Sequence, residues 1–81
     1  MRLDKFLKVS RLIKRRTVAK EVCDGGKVKI NGTTAKAGSV VKVGDVIEIT
    51  FGEKVIKAKI LEVADNVPAA KAREMYELLS E

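Results

Sequence analysis

The chain has 81 residues, a net charge of +6 and a composition that is 46% hydrophobic and 35% charged. This length predicts one domain with a small core and little room for an enclosed active site. One cysteine and no histidine exclude an internal disulfide and the commonest general acid-base residue. No apolar stretch approaches the ~20 residues of a membrane span and no secretory signal is evident, so we expect a cytoplasmic protein without a membrane partner.

Positive charge is concentrated in the first part of the chain. Residues 1–36 hold eleven cations and three acids, a balance of +8, whereas residues 37–81 hold six cations and eight acids, a balance of −2. The densest run, RLIKRRTVAK at residues 11–20, has five cations and no acid, so no ion pair within it relieves the repulsion. Most charge runs are solvated helix faces, but this density and asymmetry favour a polyanionic partner.

Two short helices are predicted before residue 27. Apolar residues recur at helical spacing within residues 1–9, which predicts the first helix. The second is expected to begin near Arg16 or Thr17, with Thr17 as its N-cap, and to end at Gly25. The buried faces are predicted from residues on one side of each helix: Leu3, Phe6 and Leu7 in the first, and Val18, Ala19, Val22 and Cys23 in the second.

Beyond residue 27 the apolar period changes to two, which predicts strands. Asn31-Gly32 indicates a tight hairpin with a return strand over residues 33–36, because a type I′ turn needs positive φ at both central residues. Further strands are expected over residues 47–51 and 54–63, with Phe51 facing the core. Pro68 is expected in the first turn of a last helix. The buried stripe of that helix is predicted to consist of Ala72, Met75, Tyr76 and Leu79.

The residues that could support catalysis are weak candidates. Cys23 lies on the predicted inward stripe of the second helix, so we assign it to packing. Asp4 suits a helix start or an ion pair with a nearby arginine better than the role of a base. Gly25-Gly26 lacks the spacing of a phosphate-binding loop and ends a helix instead of beginning one. We therefore expect no enzyme, no cofactor and no metal site.

The cations indicate a polyphosphate ligand, because the forked guanidinium of arginine can bridge phosphate oxygens. The three aromatic residues are Phe6, Phe51 and Tyr76, and no exposed ring is evident near the cations to stack unpaired bases. This pattern favours recognition of the backbone of a folded nucleic acid. Composition leaves RNA and DNA both open.

Two motifs resemble a known family. RLDKFL at residues 2–7 and the pattern RxxAxxxxxxGxVxING over residues 16–32 resemble the S-four RNA-binding domain, or alpha-L motif, with Gly44-Asp45 matching further on. Arg15 departs from the small Ser or Thr that often precedes the matched arginine. The resemblance implies an α+β fold with two short helices on a small bent antiparallel sheet, plus a C-terminal helix. It implies an RNA-binding domain over residues 1–65 and a helical extension over residues 66–81.

The resemblance also implies which side chains contact RNA. The main contacts it implies are Arg2 and Arg16, and the supporting ones lie in the helical pair and its connector: Lys5, Arg11, Lys14 and Arg15. The basic run adds Lys20 to these predicted RNA-binding residues. The segment at residues 68–77 is similar to the one that follows this domain in small ribosome-associated heat-shock and quality-control proteins. That similarity implies a non-catalytic adaptor that binds rRNA and tRNA on a large ribosomal subunit obstructed by peptidyl-tRNA.

The implied partners are large-subunit rRNA, peptidyl-tRNA and a factor that extends the stalled chain with a C-terminal tail, and a monomer is expected. An rRNA-binding protein of ribosome assembly or structure is the alternative. A regulator of duplex DNA is a third hypothesis. Stoichiometry on ribosomal subunits separates the first two, and competition between rRNA fragments and duplex DNA tests the third.

Overall fold

Helices and a five-stranded antiparallel sheet make up the fold, and the computed structural model describes residues 1–79. In chain order the elements are α1 (Leu3–Val9), α2 (Arg16–Asp24), β1 (Val28–Ile30), β2 (Thr33–Thr34), β3 (Val46–Phe51), β4 (Lys54–Ile60), α3 (Ala69–Ala72), a 3-10 turn (Arg73–Met75) and β5 (Tyr76–Leu79). The strand order is β2-β1-β3-β4-β5, and every neighbouring pair is antiparallel. The predicted α+β class is confirmed.

Helix α1 buries the apolar face that the sequence predicts, with Leu3, Phe6 and Leu7 fully inaccessible. A helix of seven residues is too short to be stable alone, so it depends on tertiary contacts. A loop supplies them at its first turn. The Leu3 N–H donates to the Ser39 carbonyl at 2.7 Å, and the N–H of the following residue donates to a carbonyl two residues earlier in the same loop.

Helix α2 begins one residue before the predicted N-cap. Arg15 is the N-cap residue, with φ −116° and no side-chain hydrogen bond to the helix. Its carbonyl accepts the first intrahelical bond from the Ala19 N–H at 2.9 Å. Thr17 therefore lies inside the first turn, and its prediction as the N-cap is wrong because the backbone already turns helical at Arg16.

The inward stripe of α2 is narrower than predicted. Ala19 and Cys23 are fully buried, but Val18 is 40% exposed and Val22 is only partly buried. The prediction of Val18 as a core residue is wrong, since the helix faces the core with one edge only. The helix ends where expected, and Gly26 has the positive φ of 78° that a left-handed helix end requires.

The Asn31-Gly32 turn is confirmed, with φ of 51° and 85° at its two central residues. The return strand β2 is shorter than predicted and covers two residues. The Asn31 side chain also links the turn to the start of β3, because its oxygen accepts the Val46 N–H at 2.9 Å and its amide donates to Asp45 at 3.1 Å. Asp45 is buried, so this link fixes the hairpin against the rest of the sheet.

Strands β3 and β4 place Ile47 opposite Ala58 and Ile49 opposite Ile56 on the core face. Strand β4 ends at Ile60, three residues before the predicted end. The prediction that Phe51 is a core residue is wrong. Phe51 pairs with Lys54 at the end of the hairpin, outside the buried cluster, and is 38% exposed.

The predicted C-terminal helix is confirmed only over its first part. Pro68 is the N-cap residue directly before α3, one position earlier than the predicted first turn. Ala72 and Met75 are buried as predicted, but the chain then leaves the helical conformation. Tyr76–Leu79 forms β5 and pairs with Lys57–Ile60. The helical prediction fails here because the edge of β4 offers backbone partners to this segment, and such pairing outweighs the weak preference of a short helix.

Candidate nucleic-acid interface

Asp4 joins two arginines that lie far apart in the sequence. Its carboxylate is 3% exposed and accepts hydrogen bonds from Nε of Arg2 at 3.2 Å and from Nε of Arg16 at 3.4 Å. The Lys5 N–H donates to the same carboxylate at 2.8 Å. The predicted ion pair of Asp4 with a nearby arginine is confirmed. The pair also brings Arg16, at the start of α2, beside Arg2, which directly precedes α1.

The Asp4 carboxylate is ionised at neutral pH. Burial raises the pKa of Asp4, but hydrogen bonds from Arg2, Arg16 and the Lys5 N–H outweigh burial and hold the pKa below its usual value. One carboxylate balances one of the two guanidinium charges, so the cluster keeps a net positive charge. The side chains of Arg2 and Arg16 are 52% and 49% exposed, so both guanidiniums remain accessible to a ligand.

An open cleft of about 310 Å³ lies over this cluster. Its lining consists of side chains that donate hydrogen bonds or carry positive charge, around the buried carboxylate: Arg2, Asp4, Arg16, Thr17 and Lys20. Guanidinium, ammonium and hydroxyl groups are the donors that bind phosphate oxygens in proteins. The cleft therefore has the chemistry of a site for a phosphate group.

The start of α2 adds to the positive potential of the cleft. Its first turn contains no acidic residue, and no side chain caps its free N–H groups. Unsatisfied N–H groups and the helix dipole place partial positive charge at this end. Arg15 and Arg16 stand where an acidic or hydroxyl cap would otherwise reduce that charge, so the helix end and the guanidiniums act in the same direction.

The connector between α1 and α2 carries three further predicted residues: Arg11, Lys14 and Arg15. All three are exposed. Within residues 1–79 none of them forms an ion pair with an acid. Arg11 has a φ of 66°, a left-handed conformation that is uncommon for a residue other than glycine. Their charges are thus available to a ligand, and their contact with RNA stays a prediction.

Lys5 differs from the other predicted residues. Its ammonium pairs with Asp65 at 3.0 Å, and it does not line the cleft. The structure therefore brings together Arg2, Arg16 and Lys20 but leaves Lys5 outside this group. Lys5 as an RNA contact stays a prediction with less support than the others.

Sequence reasoning missed one residue that lines the cleft and one that lies beside it. The sequence predicts Thr17 as a helix cap, whereas in the structure Thr17 lines the cleft. Gly38 lies against Arg2, since a Cβ at Gly38 would be 3.9 Å from Nη2 of Arg2. The basic run could have suggested Thr17, because Thr17 sits within it. No sequence signal indicates Gly38, because it reaches Arg2 only through the tertiary fold.

The other reactive side chains and cavities of the described residues do not form a second phosphate site. Burial raises the pKa of the Cys23 thiol to about 11, with added repulsion from Asp4 and Asp24, so the thiol is protonated and suits packing. A cavity of about 450 Å³ is lined by Arg73, Tyr76 and Leu78 and has one cation only. Over residues 1–79 no three metal-ligating side chains are grouped to hold an ion.

The helices of the described part of the chain are all too short or too polar to cross a bilayer.

Comparison with known families identifies the class to which this fold and cleft belong. The model of the S4 domain matches residues 1–47, which include α1, α2, the Asn31-Gly32 turn and the buried Asp45. The chain belongs to the S4 domain family. The resemblance of its two motifs to this family is confirmed.

The similar proteins narrow the class further. A protein from Streptococcus pneumoniae named RQC P-site tRNA stabilizing factor is 56% identical over 81 residues, covering all of this chain and 92% of that protein. The Bacillus subtilis protein of the same name is 54% identical over 81 residues, with 100% and 94% covered. A heat shock protein 15 homolog from Aeromonas salmonicida is 35% identical over 78 residues, covering 95% of this chain and 59% of that protein.

Solved structures confirm the fold. A trimeric structure of Vibrio cholerae heat shock protein 15 superposes with a TM-score of 0.89 at 32% identity, covering 99% of this chain and 82% of that one. The solution structure of a hypothetical protein, HP1423, gives a TM-score of 0.84 at 35% identity, covering 100% and 99%. The predicted similarity to small heat-shock and quality-control proteins is confirmed.

Proposed function

We propose that this chain is a non-catalytic adaptor that binds folded RNA through the cleft of Arg2 and Arg16. The observation that supports this proposal is the buried Asp4, which holds two half-exposed guanidiniums side by side. Orienting two guanidiniums before binding reduces the side-chain entropy that is lost when a phosphate is clamped. Diffuse attraction to a polyanion needs only cations, whereas this arrangement suits a phosphate at one position.

The aromatic residues support a backbone-reading mode. Phe6 is fully buried and Tyr76 is partly buried in β5, while Phe51 is exposed at the β3–β4 hairpin. None of the three lines the cleft. Binding of unpaired bases depends on exposed rings for stacking, so the cleft is better suited to the phosphates of structured RNA.

The RNA partners and the cellular process are inferred from the names of similar proteins. Proteins named RQC P-site tRNA stabilizing factor share more than half of their residues with this chain over its full length. We infer that the chain contacts P-site peptidyl-tRNA and rRNA of an obstructed large ribosomal subunit during ribosome-associated quality control in the cytoplasm. There it would act beside the factor that extends the stalled chain with a C-terminal tail.

We propose that a single copy binds, since one chain by itself brings Arg2, Asp4 and Arg16 together. The trimeric structure of Vibrio cholerae heat shock protein 15 raises the alternative that three copies associate. Light scattering of the free chain, and its stoichiometry on large subunits, distinguish the two. A copy number near one on every large subunit would instead favour the alternative of a structural or assembly protein.

The cleft is tested by co-sedimentation of variants with large ribosomal subunits that carry peptidyl-tRNA. Arg16→Ala and the charge-preserving Arg16→Lys are compared with Lys59→Ala, which removes one exposed cation from β4. We expect Arg16→Ala to weaken binding at least tenfold, Arg16→Lys to restore it only partly, and Lys59→Ala to have an effect under threefold. Thermal melts check that all three variants fold. Lys59→Ala should cost no more than ~0.5 kcal/mol, whereas Arg16→Ala also removes one hydrogen bond from the buried Asp4 carboxylate and should cost about 1–2 kcal/mol.

Equal losses for Arg16→Ala and Lys59→Ala would indicate diffuse charge attraction and would contradict a specific site. Competition between rRNA fragments and duplex DNA at physiological salt tests whether the ligand is RNA. Stronger retention by DNA would revive the hypothesis of a DNA regulator.

A further inference from the structure

The segment of residues 37–41 runs alongside the N-terminus and is fixed there. Its backbone accepts the N–H groups of Leu3 and Asp4, and its Val41 N–H donates to the Met1 carbonyl at 2.9 Å. This segment has no regular secondary structure of its own. The hydrogen bonds nevertheless hold it in register with the residue that precedes α1, and they act at both ends of the segment.

Within this register Val40 lies directly opposite Arg2 as an antiparallel bridge. Residues opposite each other in such a bridge project their side chains from the same face, with Cβ atoms about 4.5–5.5 Å apart. The guanidinium of Arg2 leans over Gly38, where the missing side chain leaves space. From this bridge geometry we expect the Val40 side chain to lie beside the aliphatic part of Arg2, next to the cleft that Arg2 lines.

Val40 is 72% exposed, the highest fraction among the large apolar side chains of residues 1–79. A single exposed valine is ordinary on a protein surface. Two observations set Val40 apart from Val43, which is 55% exposed in the same loop. Val40 is locked by the bridge, and its neighbour across that bridge is a residue of the cleft. Val43 has no such bridge among the described residues.

We propose that Val40 is a contact residue of the RNA surface, packing against the sugar and base edge of the nucleotide whose phosphate Arg2 holds. This inference rests on the proposed function of the cleft. Its physical signature differs from that of the arginines. Apolar contact releases no counterions, so its contribution to affinity is independent of salt, whereas each phosphate contact adds a salt-dependent part.

The test measures binding of Val40→Ala and Val43→Ala to large ribosomal subunits carrying peptidyl-tRNA, at salt concentrations from about 50 to 200 mM. Val40→Ala is expected to weaken binding about three- to tenfold at every salt concentration, with an unchanged slope of log affinity against log salt. Val43→Ala is the matched control and should bind as the unaltered chain does. Arg2→Ala should reduce the slope by about 0.7 to 0.9.

Unaltered binding by Val40→Ala, while Arg2→Ala and Arg16→Ala lose affinity, would overturn this inference and leave the proposed function intact. A loss accompanied by a smaller salt slope would also overturn it, because Val40 would then act only by positioning Arg2. Unaltered binding by the arginine variants would refute the proposed function itself. If Val40→Ala lowers the melting temperature, Val40→Thr is used in its place, because threonine keeps the shape of valine and replaces a methyl group with a hydroxyl. The same weakening of binding is expected.

Discussion

Replacing Asp4 with asparagine separates two explanations of the basic surface. The substitution removes a negative charge, so the chain becomes one unit more positive than +6. Diffuse attraction to a polyanion would then increase. If Asp4 instead orients the guanidiniums of Arg2 and Arg16, its loss lets both side chains move and weakens binding despite the added charge.

The expected magnitude follows from the contacts. The Asp4 side chain is 3% exposed and bonds to two arginines and one N–H, but both arginines are half exposed and recover water when released. The ion pairs are therefore discounted for solvent screening, and the loss of unfolding free energy is expected at about 1–3 kcal/mol. Asparagine keeps the shape but turns an amide toward the guanidiniums. Binding should weaken about five- to twentyfold.

The assay is co-sedimentation with large ribosomal subunits carrying peptidyl-tRNA, performed well below the melting temperature of each variant. Glu48→Gln is the matched control, because it makes the same change of charge at a partly exposed pair with Lys57 on the sheet, outside the cleft. We expect equal or slightly tighter binding for Glu48→Gln. A folded Asp4→Asn chain that binds more tightly, as Glu48→Gln does, would refute the orienting role of Asp4.

Three further predictions concern stability and burial. Hydrogen bonds hold the pKa values of Asp4 and Asp45 below their usual values in spite of burial, so the folded state binds fewer protons than the unfolded state at acid pH. Their stabilisation is complete above pH ~5 and is lost as pH falls through the folded pKa values. Urea melts from about pH 6 to 2 should show this decline, and the decline should be smaller in Asp4→Asn. Cys23 should react with iodoacetamide near neutral pH far more slowly in the folded chain than in urea, because its thiol is buried and its pKa is raised to about 11; rapid labelling would contradict its packing role. Tyr76→Ala should lower the unfolding free energy by about 1–3 kcal/mol through the loss of a partly buried ring while leaving subunit binding unchanged, and the reverse pattern would make Tyr76 a binding residue.

Features that depend on a few neighbouring residues were predictable from the sequence. The apolar face of α1 follows from helical spacing, and the Asn31-Gly32 turn follows from the positive φ that these residues tolerate. The alternation in β3 and β4 likewise predicted two strands on one face of a core. Each of these preferences operates within one turn or one hairpin, so the local sequence is sufficient to decide it.

The site was predictable only as a set of residues. The basic run and the family motifs indicated Arg2 and Arg16, but not that both bond to the carboxylate of Asp4. That arrangement depends on the packing of α1 against α2. Gly38 lies against Arg2 for the same reason, because its loop pairs with the N-terminus by backbone hydrogen bonds that no side-chain pattern encodes.

The sequence by itself determined the identity of the short helices, the tight turns and the concentration of positive charge, because local spacing and backbone preference decide these. Tertiary structure alone decided the conformation of Tyr76–Leu79 and the exposure of Phe51. The first segment has helical spacing, yet β4 offers it an unpaired edge and it becomes β5. Phe51 fits the apolar alternation of a strand, yet it lies at the end of the hairpin, outside the buried cluster. Both outcomes depend on which distant backbone or side chain is present, and a pattern within one segment carries no information about that.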